Sequence, residues 1–193
     1  MKHGLTLLLI LACSAFPSRA ADEYFPPSSF DTFRVGWYTP HLRAMNEPSL
    51  FEMRADRAAH VYRFLWLRTF HHPIAIRVDL GKAANGILTV KELSGAGGYE
   101  PGSIRFKTVV PLTAGEVSSF LSAVKDVGFW GMPTEPPPTD SIACDGAQWV
   151  LEGVHDGQYH VVDRWSPDPG PYRDLCLQLL AASKLALQVD DVY

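Results

Sequence analysis

Residues 147–165 read AQWVLEGVHDGQYHVVDRW, two runs rich in β-branched and aromatic residues around His155-Asp156-Gly157. Period-two alternation on both sides of a turn signal is the mark of a β-hairpin. A three-residue loop with Gly157 left-handed pairs Val154 with Gln158, Glu152 with His160, Val150 with Val162 and Gln148 with Arg164. This register gathers Trp149, Leu151, Tyr159, Val161 and Trp165 on a core face. It leaves Gln148, Glu152, His160 and Arg164 on a solvent face. A two-residue loop mixes the two sets, so the three-residue loop is the expected one. Asp163 then points inward and needs hydrogen-bonding partners.

Four further β-rich runs precede the hairpin, at 61–70, 74–80, 87–93 and 104–110, with turn chemistry between them. Ile74, Ile76, Val78 and Leu80 alternate with Ala75, Arg77 and Asp79, as a strand with one face in a core should. The period then changes. Thr113 and Glu116 have capping-box spacing, and Val117, Phe120, Leu121, Val124 and Val127 follow at helical intervals up to Gly128. A second helix is expected from about Pro171 to Leu187, with Tyr172, Leu175, Cys176 and Leu179 on one face. The expected fold is α+β: an antiparallel sheet of about six strands with two main helices on one face, in the order βββ-β-α-β-β-α. Thr39-Pro40 reads as the start of a short helix that ends at Glu47-Pro48. Residues 49–59 fit either a Ser49-capped helix or a strand. Met132 to Asp140 is a proline-rich loop.

The first 20 residues carry Lys2, a short apolar run from Leu5 to Leu11, and Ser18-Arg19-Ala20 as a cleavage site, the layout of an export signal. The expected organisation is a signal peptide at 1–20, an arm at 21–39 that packs through Phe33, Trp37 and Tyr38, and one domain at 40–193. The location is then periplasmic or extracellular. Ile10-Leu11-Ala12-Cys13 is a degraded lipobox, so lipidation of Cys13 is the alternative to cleavage before Ala21, and it provides the one route to a membrane. Cleavage takes Lys2 and Arg19 from the 17 basic residues and none of the 21 acidic ones, moving the formal charge from −4 to −6. That balance argues against nucleic acid as a partner. In an oxidising compartment Cys144 and Cys176 are candidates for a disulfide closing a loop of about 33 residues, worth roughly 3–4 kcal/mol. The alternative is a buried free thiol on the last helix.

Within the hairpin, Glu152 opposite His160, with Arg164 nearby, is a candidate catalytic set for a small hydrolase. Its bland counterpart is a solvated face of cross-strand charge pairs. Ser94-Gly95-Ala96-Gly97-Gly98 leads into a strand and not into a helix, so it reads as a flexible hairpin loop and not as a phosphate cradle, with Tyr99 at its tip a candidate contact residue. Gln148 joins Tyr99 as a candidate binding residue. No histidine has the spacing of a zinc site, and no cofactor is expected. Arg63, Arg68, Arg77, Lys91, Arg105 and Lys107 lie in the first four strands, and the ordinary reading is an exposed face balanced by Asp79, Glu92 and Glu100; the alternative is that several gather as a basic patch on the outer sheet face.

Asp145 to Trp149, Glu152-Gly153, Tyr159-His160 and Arg164-Trp165-Ser166-Pro167 resemble a hairpin of uncharacterised exported bacterial proteins. The resemblance covers 145–167, and less specifically 62–99. It implies a shared fold and no activity. The leading expectation is an exported, non-catalytic binding or interaction protein of the cell envelope, of accessory, inhibitor or immunity type. Its partner would be a protein or an envelope ligand. The small hydrolase is the alternative.

Overall fold

The computed structural model describes residues 23–81, 85–137, 145–187 and 192–193. Six strands form one antiparallel sheet in the order β4-β3-β2-β1-β5-β6. They are β1 (His60–Arg68), β2 (Ile74–Leu80), β3 (Gly86–Leu93), β4 (Ile104–Leu112), β5 (Ala147–His155) and β6 (Gln158–Trp165). The helices are α1 (Thr32–Ala44), α2 (Leu50–Met53), α3 (Ala114–Asp126) and α4 (Pro171–Ser183). The expected α+β class and strand meander hold, and the two main helices, α3 and α4, share one sheet face.

That face is built as the alternation requires. Phe64, Trp66, Ile76, Val78, Trp149 and Leu151 meet Val117 and Phe120 of α3 and Leu175 and Leu179 of α4 in one apolar core. The α3 capping box forms, with Thr113 Oγ1 accepting from the Glu116 amide and the Glu116 carboxylate accepting from the Thr113 amide. Cys176 is a free thiol buried in this core, so the expected bridge to Cys144 is not made. The apolar stripe of α4 turns Cys176 into the sheet, and burial pushes its thiol far above the ordinary range. Cys144 and Cys13 lie outside the described residues.

The opposite face is also covered. Tyr24, Phe25, Phe30 and, from α1, Tyr38 and Leu42 pack on Leu65, Leu67, Ala75, Val150 and Val161. Helix α1 begins at an Asp31 cap, whose carboxylate accepts from the Arg34 amide at 2.8 Å, well before the expected start at Thr39. Pro40 lies inside the helix, where it removes one backbone bond. Ser49 caps α2, which settles residues 50–53 as helix.

This second core layer overturns the expected hairpin register. The observed pairs are His155 with Gln158, Gly153 with His160, Glu152 with Val161 and Gln148 with Trp165. The loop is the two-residue Asp156-Gly157, with φ of 51° and 77°, a type I′ turn matched to strand twist. Relative to the three-residue loop, every β6 side chain changes face. Val161 enters the core beneath α1 and Val162 the core beneath α3 and α4. Sorting apolar residues to one side is a sound rule only when the other side is wet, and here neither is.

Candidate functional site

The second layer first explains the charges on the sheet. Arg63, Arg77 and Lys91 do gather on one face, yet they lie under residues 46–48 and not in solvent. Arg63 is fully buried and reaches Glu152 Oε2 through Nε at 2.8 Å and Nη2 at 2.6 Å, while Nη1 donates to the Pro48 carbonyl at 2.6 Å. Tyr159 donates to the other oxygen of Glu152 at 2.9 Å. Glu47 sits 2.6 Å from Lys91 Nζ, 2.9 Å from Arg77 Nη1 and 3.6 Å from Arg63 Nη1. Burial opposes its charge, but the three cations outweigh burial and hold the carboxyl below its usual value. Arg105 and Lys107 remain exposed on the edge strand β4.

The expected catalytic set is therefore not assembled. Glu152 lies on the α1 side with Arg63 and Tyr159, whereas His160 lies on the α3 side against the rings of Phe129 and Trp130, 5.1 and 6.3 Å between centroids. The one-residue change of register separates them. Arg164 donates to the carbonyls of Thr134 and Pro133 at 3.0 and 2.9 Å and fastens that segment along the outer edge of β6. A cavity of about 650 Å³ beside Tyr24, Arg43 and Glu47 has the same structural character. Its polar groups tie the arm down: Tyr24 donates to the Glu47 carbonyl at 2.8 Å and Ser49 to the Glu23 carbonyl at 2.5 Å.

A different site forms where α1 crosses the end of the hairpin. Helix α1 places Phe33, Arg34 and Trp37 over β5 and β6, and the hairpin contributes Gln148, Asp163 and Trp165. The segment after the 3₁₀ turn at Phe129–Gly131 brings Glu135 alongside, because Thr134 accepts from the Asp163 amide at 2.7 Å. Between these groups lies a cavity of about 340 Å³. An adjoining cavity of about 550 Å³ shares Phe33, Trp37 and Trp165 and continues to Thr69, Gly98 and Asp145. Phe70 and Tyr99, the next residues after Thr69 and Gly98, stand 59% and 63% exposed with ring centroids 6.2 Å apart.

The glycine-rich loop makes this end rigid. Gly97 and Gly98 donate to the His71 and Thr69 carbonyls at 2.9 and 3.0 Å, and the Trp37 indole donates to the Gly97 carbonyl at 2.6 Å. A Cβ on Gly97 would come within 2.5 Å of the Arg68 backbone, so glycine is needed for this close approach.

Asp163 is the floor of the smaller cavity and is 2% exposed. Tyr38 donates to one oxygen at 2.8 Å, Gln148 donates to the other, and Arg34 Nε stands 3.5 Å away. Desolvation exceeds what these partners return and pushes the carboxyl up to about 6. Arg34 bridges outward to Asp31 at 3.0 Å and Glu135 at 2.9 Å. Asp163 has the burial and the partners expected of it, and Gln148 and Tyr99 both fall in or beside this groove. Phe33, Arg34, Glu135 and Trp165 were not legible as a site. The one local signal was Asp31 three residues before Arg34, a helix cap that would have extended α1 toward the hairpin.

No family model, curated protein or solved structure matches this chain. A carboxyl near neutrality is a common catalytic element, but both Asp163 oxygens are engaged by fixed donors. The arrangement is a groove with aromatic walls, whose buried carboxylate is held by fixed donors.

Proposed function

We propose that this chain is an exported, non-catalytic protein that binds a partner protein through the aromatic end formed by α1, the loop at 94–102 and the open end of the β5–β6 hairpin. The observation that carries the reading is the set of Phe33, Trp37 and Trp165 lining both cavities, with the Phe70–Tyr99 ring pair next in the chain to the lining residues Thr69 and Gly98. Phe33 is 73% exposed, and Phe70 and Tyr99 are exposed as well. Large aromatic side chains held in the open on rigid supports cost water contact and return little in the free protein. They are also the side chains that dominate binding energy at protein interfaces. The support is stiff, so little ordering entropy would be lost on association. The leader-like segment at 1–20 supports export, and cleavage before Ala21 or lipidation at Cys13 would deliver the domain outside the cytoplasm.

Site-specific photo-crosslinking in the expressing cells tests this reading. A crosslinking phenylalanine at Phe33 or Tyr99 should capture one discrete partner, while the same group at Val109, exposed on β4, should not. Equal labelling from all three positions, or none from Phe33 and Tyr99, would overturn it.

A further inference from the structure

We infer that the groove receives a basic side chain, so that the partner presents a lysine- or arginine-bearing segment to it; this rests on the proposed contact surface. The cavity walls are three aromatic rings, Phe33, Trp37 and Trp165, shared between the two adjoining spaces. Aromatic faces attract cations, and the attraction grows as water is excluded. The polar side of the groove gives the occupant its sign. Asp31, Glu135 and Asp163 line the smaller cavity and Asp145 the larger, while Arg34 is the one base among the described residues lining either. Arg34 is already shared among three carboxylates, at 3.0, 2.9 and 3.5 Å, and cannot neutralise them all. An incoming ammonium or guanidinium group would stand between ring faces and carboxylate oxygens, with its alkyl stem along the tryptophans. An acidic segment would meet uncompensated carboxylates, and a neutral saccharide would leave that charge unused.

The test uses the mature chain with ¹⁵N-labelled indoles, whose five tryptophans give five side-chain signals. The probes are capped pentapeptides alternating alanine with arginine, with citrulline and with glutamate. The arginine peptide should shift the Trp37 and Trp165 indoles and leave those of the fully buried Trp66 and Trp149 in place. Citrulline, the same shape without charge, should bind about tenfold more weakly. Glu135→Gln and Trp165→Leu should each weaken the arginine peptide, with unchanged Trp66 and Trp149 signals showing that the fold persists. Equal binding of the citrulline peptide, preference for the glutamate peptide, or no response at Trp37 and Trp165 would overturn the inference. Capture at Phe33 and Tyr99 without an arginine response would leave the contact surface standing and remove the cation from it. Indiscriminate crosslinking would remove the surface itself.

Discussion

Asp163 and Glu47 are both buried carboxylates, and their surroundings move them in opposite directions. Asp163 is held near 6 because desolvation exceeds the help of Gln148, Tyr38 and Arg34, with Glu135 adding repulsion. Its raised value means that the folded state prefers the protonated form. The associated stability is complete below the unfolded value of 3.8 and is lost as pH rises through about 6. Asp163→Asn can keep both hydrogen bonds if the Gln148 amide turns over, and it removes the titration. In urea melts, the stability of the native chain relative to this variant should fall by about 2–3 kcal/mol between about pH 4 and about pH 7.5. A constant difference would refute the assignment. Glu47 has the reverse sign: its contribution is present above its unfolded value and lost as pH falls through the lower folded one. Glu47→Gln leaves the buried Arg63 and Lys91 beside the half-buried Arg77 without their shared carboxylate, and should cost about 3–5 kcal/mol at neutral pH by the same measurement.

At the scale of the element, the β5–β6 hairpin depends on its turn. Asp156 and Gly157 both have positive φ, which aspartate accepts with a side-chain hydrogen bond and glycine accepts freely. Gly157→Ala should destabilise the fold by about 1 kcal/mol or more, and Asp156→Asn should be close to neutral, as read from denaturation midpoints. The three-residue geometry also makes Gly157 left-handed, so these variants report the turn's need for positive φ there and not the register. The Asp-Gly dipeptide is itself the strongest signal for a two-residue hairpin, and it was present in the sequence all along. It loses to the sorting of apolar residues only if one face is assumed wet. Helix α1 was partly hidden for a related reason: its apolar residues follow no single stripe, because it touches the sheet core on one side and carries Phe33 and Trp37 at the groove on another.

For the whole molecule, the consequence is a sheet with cores on both sides. Phe64 and Leu65 are adjacent in β1, fully buried, and belong to opposite cores. Phe64→Ala should cost about 3–5 kcal/mol and Leu65→Ala about 2–5 kcal/mol in equilibrium unfolding. A sheet with one solvated face would show a large loss for only one of the pair. The groove is also a property of the whole molecule, since Tyr38 and Asp163 meet across 125 positions and Trp37 and Gly97 across 60.

Local pattern was enough to determine the strands, the capped helix α3, helix α4 and the α+β class, because alternation, capping residues and turn dipeptides act over a few neighbouring positions. Tertiary structure decided the rest. Period-two spacing says which residues share a face, but says nothing of whether a distant segment will cover that face. Arg63 and Glu152, 89 positions apart, therefore look solvated in sequence and become a buried pair once residues 24–54 lie over them. The groove of Trp37, Asp163 and Trp165 likewise exists only where that covering layer ends, since desolvation and enclosure depend on which surfaces meet.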